Sequence, residues 1–211
     1  MAEQAEPHFQ NSFLARARYP KGKRRLQAIL DATFDIVVRE GLAAASQEAI
    51  AKRAGVTQSA VRHYFPTKDE LLMAFFSTAI ERLQQKFHVA IESGNLEPRQ
   101  RLLDSASMHY ARILETEDIY FFEATAFWGR NADFKKLRDE WYESLDRHYI
   151  GLLEEIHPKW SRKRCADVAL QILTLILGGW GTMGSSRPIR QNESLQALKN
   201  SLLQGIERVI D

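Results

Sequence analysis

Apolar residues recur along this chain at steps of three and four, the spacing of helix faces, and no convincing strand pattern interrupts them. Leu26, Ile29, Leu30, Thr33, Phe34 and Val37 mark a first helix over about residues 23–39, closed by Gly41. Ser46 and Thr57 stand before two short helical runs, where a side-chain oxygen caps free N–H groups. Thr67 with Glu70 gives a capping box for a fourth helix reaching Ile91, ahead of Ser93-Gly94-Asn95. Pro98 suits the first turn of a fifth, ending near Glu115. A short aromatic sixth covers 118–128. The seventh carries the clearest stripe: Phe134, Leu137, Trp141, Leu145, Tyr149, Leu152 and Ile156, ended by His157-Pro158. The eighth, from Arg162 to Gly178 or beyond, is apolar on nearly all sides. The ninth, over 194–210, sets Leu195, Leu198, Leu202, Ile206 and Val209 on one face. The expected fold is all-α.

Residues 46–71 read SQEAIAKRAGVTQSAVRHYFPTKDEL. Ala51 is small where two backbones approach, and Gly55 lies where a tight turn needs a positive φ. Ile50, Val56 and Val61 point inward to hold a crossing angle. This is the spacing of a helix-turn-helix.

Charge sharpens that picture. The whole chain carries 29 Lys/Arg and 27 Asp/Glu, a net +2. Residues 16–70 hold eleven cations against six anions, a net +5, and residues 71–211 a net −1. Positive charge thus gathers where phosphate binding needs it. The single cysteine, Cys165, excludes an internal disulfide and suits a buried thiol in a reducing compartment. Residues 168–186 carry no formal charge, but Gln171, Thr174 and four glycines suit a buried or subunit-facing helix better than a membrane span. No signal peptide is read, and a cytoplasmic location is expected. The six histidines form no HExxH, Cys165 has no CxxC partner, and no GxSxG or phosphate-cradling loop occurs. No catalytic set, metal or cofactor is expected.

At Gly41, Ile50-Ala51, Ala54-Gly55-Val56-Thr57, Tyr64-Phe65, Lys68 and Leu71 the chain resembles the tetracycline-repressor (TetR) family of transcriptional regulators. The resemblance covers about residues 20–75; beyond them it extends to helix count and length. It implies a nine- or ten-helix homodimer whose N-terminal three-helix domains grip DNA. The C-terminal bodies would bind a small molecule and dimerise through the last two long helices, eight and nine. Arg62 stands where the family commonly has tyrosine, and Ser59 where it often has glycine, so no operator sequence transfers. Ala126-Phe127-Trp128 and Gly178-Gly179-Trp180 resemble the choline-responsive branch of the family.

On the recognition helix Gln58, Ser59, Arg62 and His63 share the face opposite Val61. Gln58 suits adenine and Arg62 guanine. Thr57, Tyr64 and Lys68 suit phosphate, two of them at helix N-termini. Arg25, in the basic run from Arg16, and Ser46 complete the expected DNA-contact set; that run either enters a minor groove or is a solubilising tail. In the body, the aromatics Tyr120, Phe121, Phe122, Phe127, Trp128, Trp141, Tyr149 and Trp180 are either core or a ligand cage. Phe122, Glu123, Trp128 and Trp141 are the cage candidates, with Glu123 a charge partner for a cationic ligand. His109 and Tyr110 are further polar candidates. The expected division is an arm over 1–20, a DNA-binding domain over 21–68 and a ligand-binding and dimerisation domain over 69–211. The expected function is a ligand-responsive regulator, a repressor that releases operator DNA. A DNA-independent ligand-binding or scaffold protein is the alternative.

Overall fold

The computed structural model of the chain describes residues 17–92, 96–115, 124–129, 131–184 and 187–211. Within them run α1 (Pro20–Glu40), α2 (Gln47–Arg53), α3 (Gln58–Tyr64), α4 (Lys68–Glu92) and α5 (Pro98–Glu115). A sixth helix, α6, is described over residues 124–128. Then come α7 (Ala132–Ile156), α8 (Arg162–Thr182) and α9 (Leu195–Ile210). All regular structure among the described residues is helical.

Local capping starts these helices where the sequence pattern puts them. Ser46, Thr57 and Thr67 accept from the N–H groups of Ala49, Ala60 and Glu70, each at 3.1 Å. Asn131, Ser161 and Ser194 do the same for α7, α8 and α9. Each cap satisfies one of the four N–H groups that a helix start leaves open.

The chain divides into two units, one up to Gln85 and one from Lys86 to Asp211. In the first, Leu26, Ile29, Ile36 and Val37 of α1 are buried, as are Ile50 and Ala51 of α2 and Val61 of α3. The division falls inside α4 because its first turns complete this core: Leu71, Leu72, Phe75 and Phe76 are buried. The α1 stripe differs from expectation at one place. Phe34 is 47% exposed and tilts against Phe75 (ring centroids 6.1 Å apart), while Ile36 takes the interior position. Helix α1 also starts at Pro20, three residues before the expected Lys23. Proline at a helix start loses no hydrogen bond and brings a preset φ.

In the second unit α5 packs against α7, α8 and α9, and α7 and α8 form an antiparallel pair. Tyr110, Leu145, Tyr149, Leu153, Cys165, Ala169, Ile172 and Ile176 are fully enclosed. The buried edge of α9 is Leu198, Leu202, Ile206 and Ile210; Leu195 is 41% exposed, so the expected stripe is rotated slightly. Arg187 organises the connection into α9: its guanidinium donates to the carbonyls of Gly184, Arg190, Gln191 and Glu193 at 2.9–3.3 Å.

At the α7–α8 turn, His157 stacks flat on Trp160 (3.7 Å, 5°) and Arg164 covers the ring from 3.7 Å. His157 Nε2 lies 2.7 Å from the Ile210 carbonyl, so this stack also fixes the end of α9. Trp160→Ala removes a half-buried ring with cation–π and stacking partners, a loss of about 2 kcal/mol. A fall in Tm of about 4–8 °C follows for a chain of this length, readable by thermal denaturation; an unchanged Tm would show that the stack carries no load.

Candidate nucleic-acid interface

The turn between α2 and α3 is set by Gly55 at φ +65°, with the Val56 N–H donating to the Ala51 carbonyl at 3.0 Å. A side chain there would be strained by the backbone alone. Of α3, Val61 is the one fully buried residue; Phe65, just past its end, is also enclosed. Gln58, Ser59, Arg62 and His63 are all exposed on the opposite side, with Thr57 beside them at the helix start. The sequence-expected reading face is therefore one continuous polar surface.

The remaining expected contacts are placed more individually. Ser46 and Arg25 are exposed. Tyr64 is half-buried, its hydroxyl against the first turn of α1. A Cβ added at Gly22 would lie 3.2 Å from that oxygen and 3.2 Å from the Ala17 Cβ. Gly22 thus sits inside α1 where an added side chain would crowd Tyr64 and Ala17. The Lys68 ammonium donates to the Leu42 carbonyl at 3.0 Å and the Ala43 carbonyl at 3.4 Å, tying the start of α4 to the α1–α2 loop. Arg53 pairs with Asp35 and Glu40, and Arg39 pairs with Asp35. The Arg39 hydrogen bond, helped by Arg53, holds the Asp35 carboxyl below the ordinary carboxylate range.

One residue escaped sequence reading. Gln47, first residue of α2, donates from Nε2 to the Phe65 carbonyl (2.7 Å) and the Pro66 carbonyl (3.4 Å), and its Oε1 accepts from Arg62 Nε at 3.4 Å. A contact across eighteen positions leaves no periodic signal.

Of the cage candidates, Phe122 and Glu123 lie outside the described residues. Trp128 is stacked on Phe134 (5.8 Å, 16°), and Trp141 is buried with its ring edge-on to His109 at 6.2 Å. Within the described residues, the Trp128 Nε1 and the hydroxyls of Tyr110 and Tyr149 are buried without a hydrogen-bond partner. His148 Nε2 lies 3.1 Å from Ser105 Oγ. No group of three or more His, Cys, Asp and Glu among the described residues could hold a metal ion.

A short capped helix with one buried anchor and a polar outer face, set across a second by a glycine turn, is a DNA-reading helix-turn-helix. The profile of bacterial regulatory proteins of the tetR family matches residues 29–75. The HTH-type transcriptional regulator BetI of Yersinia pestis (strain Pestoides F) is 41% identical over 188 residues, 85% of this chain and 91% of that protein. PksA of Bacillus subtilis (strain 168), another HTH-type transcriptional regulator, is 27% identical over 89% of this chain and 90% of its own length. A transcriptional regulator from Saccharomonospora viridis, solved in complex with choline, shares the fold at a TM-score of 0.72 and 14% identity, covering 86% of this chain and 94% of that one. The chain belongs to the tetR family of bacterial regulatory proteins, DNA-binding transcriptional regulators and not enzymes.

Burial gives the second unit a pH signature. It pushes His109 and His148 down to about 4, with the charge of His148 adding for His109 and that of Arg101 for His148. Both rings stay neutral in the folded chain where an unfolded imidazole, near 6.5, takes a proton. Their stabilisation is complete above pH 6.5 and is lost as pH falls toward 4. Through His109 this loss is on the order of 3 kcal/mol. Urea denaturation at stepped pH should show it, and His109→Gln should flatten the slope; an unaltered slope would assign the acid sensitivity elsewhere.

Proposed function

We propose that this regulator is a homodimeric repressor that occupies an operator and leaves it when a small molecule binds its second unit. The observation that carries the DNA half is the α3 face: four exposed polar side chains around a single buried anchor. Gln58, Ser59, Arg62 and His63 read base edges in the major groove. Thr57, Ser46, Tyr64, Lys68 and Arg25 fix register on phosphates; Lys68 keeps one of its three donors beyond the two engaged on carbonyls. Occupation of a promoter represses by exclusion and needs no catalytic group.

Dimerisation through α8 and α9 is supported by the outer face of α8. Leu170 is 63% exposed and Leu175 36%, with the uncharged Gln171 and Thr174 exposed between them and Gly178 and Gly181 exposed beyond. Leu202 and Ile206 of α9 are buried within the protomer, so α8 is the face to challenge. Two recognition helices of a dimer must sit about 34–36 Å apart to enter successive major grooves. Ligand binding releases DNA by favouring a spacing other than this one, transmitted along α4. No described helix is long and apolar enough to cross a membrane; a cytoplasmic site of action suits a protein that meets the chromosome.

For the effector, Trp128 and Trp141 offer rings that stabilise a cation, and Glu123 a charge partner. The Saccharomonospora viridis neighbour holds choline. A quaternary ammonium compound is therefore the first effector to test.

If the dimer neutralises six to ten phosphates, operator affinity falls about 10³–10⁵-fold between 50 and 200 mM salt. Leu170→Asp should give monomers by sedimentation and lose specific binding together, without loss of helix content; salt-insensitive binding, or tight operator binding by a monomer, would reject the reading. Choline at about a hundredfold excess over its Kd should add about 2.7 kcal/mol of stability and release operator. Glu123→Gln should weaken both responses and leave ligand-free DNA affinity as it was.

A further inference from the structure

The amide of Gln47 is chemically forced into one orientation. Its Nε2 faces the carbonyl oxygens of Phe65 and Pro66, and its Oε1 faces the Nε–H of Arg62. A flipped amide would set oxygen against oxygen at 2.7 Å and donor against donor on Arg62. Helix α2 thus supplies an acceptor at a fixed place beside the exposed Arg62 side chain on α3.

We infer that Gln47 is a positioning residue for DNA reading: by holding Arg62 Nε, it presents the two terminal nitrogens of the guanidinium as a preset fork for guanine. The inference rests on the proposed base-reading role of Arg62. An arginine offers five donors in a rigid plane, and bidentate recognition of guanine O6 and N7 uses the terminal ones. Tying Nε leaves those free and restricts rotation of the plane. A free arginine on an exposed helix must give up its rotamer freedom on binding; one already held gives up less.

The test uses the full-length dimer and a duplex selected from a random library, with single base-pair substitutions, in competition binding at constant salt. Arg62→Ala should flatten the preference for guanine at one base pair by about 5- to 150-fold. Gln47→Met should lower preference at that same base pair by about 2- to 12-fold, the worth of one hydrogen bond, and leave other positions and the salt slope alone. Added to Arg62→Ala, Gln47→Met should change nothing at that position. Gln47→Lys keeps a donor for the Phe65 carbonyl and removes the acceptor for Arg62. It should lose the same preference at wild-type Tm, and it decides the matter if Gln47→Met folds poorly. Full preference in Gln47→Lys, or an equal loss at every base pair that persists without Arg62, overturns the inference and leaves the base-reading role standing. An Arg62→Ala variant with every preference intact overturns both.

Discussion

Everything at the DNA-facing end depends on holding a seven-residue helix in place. A helix of that length has no independent stability in water, because nucleation costs more than its few internal bonds return. Helix α3 exists because its surroundings specify it: the Thr57 cap at one end, the Phe65 N–H on the Val61 carbonyl at the other, and Val61 and Phe65 fully buried beneath. Gly55 sets the angle at which it leaves α2. A mount built from backbone geometry and two buried side chains leaves the outer residues nearly free of folding duties. Their chemistry can change without disturbing the fold, which is why Arg62 and Ser59 can depart from the usual family residues while the mount keeps its pattern.

The charge distribution has to be discounted by the same reasoning. Eleven cations lie between residues 16 and 70. Arg39 and Arg53 are engaged with Asp35 and Glu40, and Lys68 with two loop carbonyls. Exposed pairs of this kind add little stability individually. Here they join α1 to α2 and α4 to the loop between them, so they fix where the remaining cations sit. Arg18, Lys21, Lys23, Arg24 and Arg25 are exposed around the start of α1, where free N–H groups of the first turn add to an anion's attraction.

What could be read from sequence followed the range of the interaction. Caps are contacts over three residues, and those of Ser46, Thr57 and Thr67 were all legible. Helix faces were legible to within a residue or two. The phase of a stripe depends on which neighbour covers it, so Phe34 and Ile36 exchanged roles, and Leu195 moved outward. Gly22 marks the approach of Tyr64 from a helix forty residues away, a contact with no local signal. The His157 contact with the Ile210 carbonyl and the Gln47 clamp join segments whose proximity only the folded chain creates. The ligand-side residues were the least legible, since buried aromatics look alike whether they pack on one another or on a guest.

The energy needed for a ligand to act on such a protein is small compared with what its interior holds in reserve. Coupling between an effector site and DNA is of the order of 1–3 kcal/mol. A buried donor left without a partner costs about the same, 1–3 kcal/mol. The second unit holds three among its described residues: the hydroxyls of Tyr110 and Tyr149 and the indole N–H of Trp128. A ligand that bonds any one of them in the DNA-free arrangement, and loses that bond in the DNA-bound one, has the differential affinity that release requires. Tight binding alone would not suffice, because equal affinity for both arrangements shifts nothing. For the release mechanism proposed above, a single hydrogen bond made in one arrangement and not in the other would be a large enough selective element.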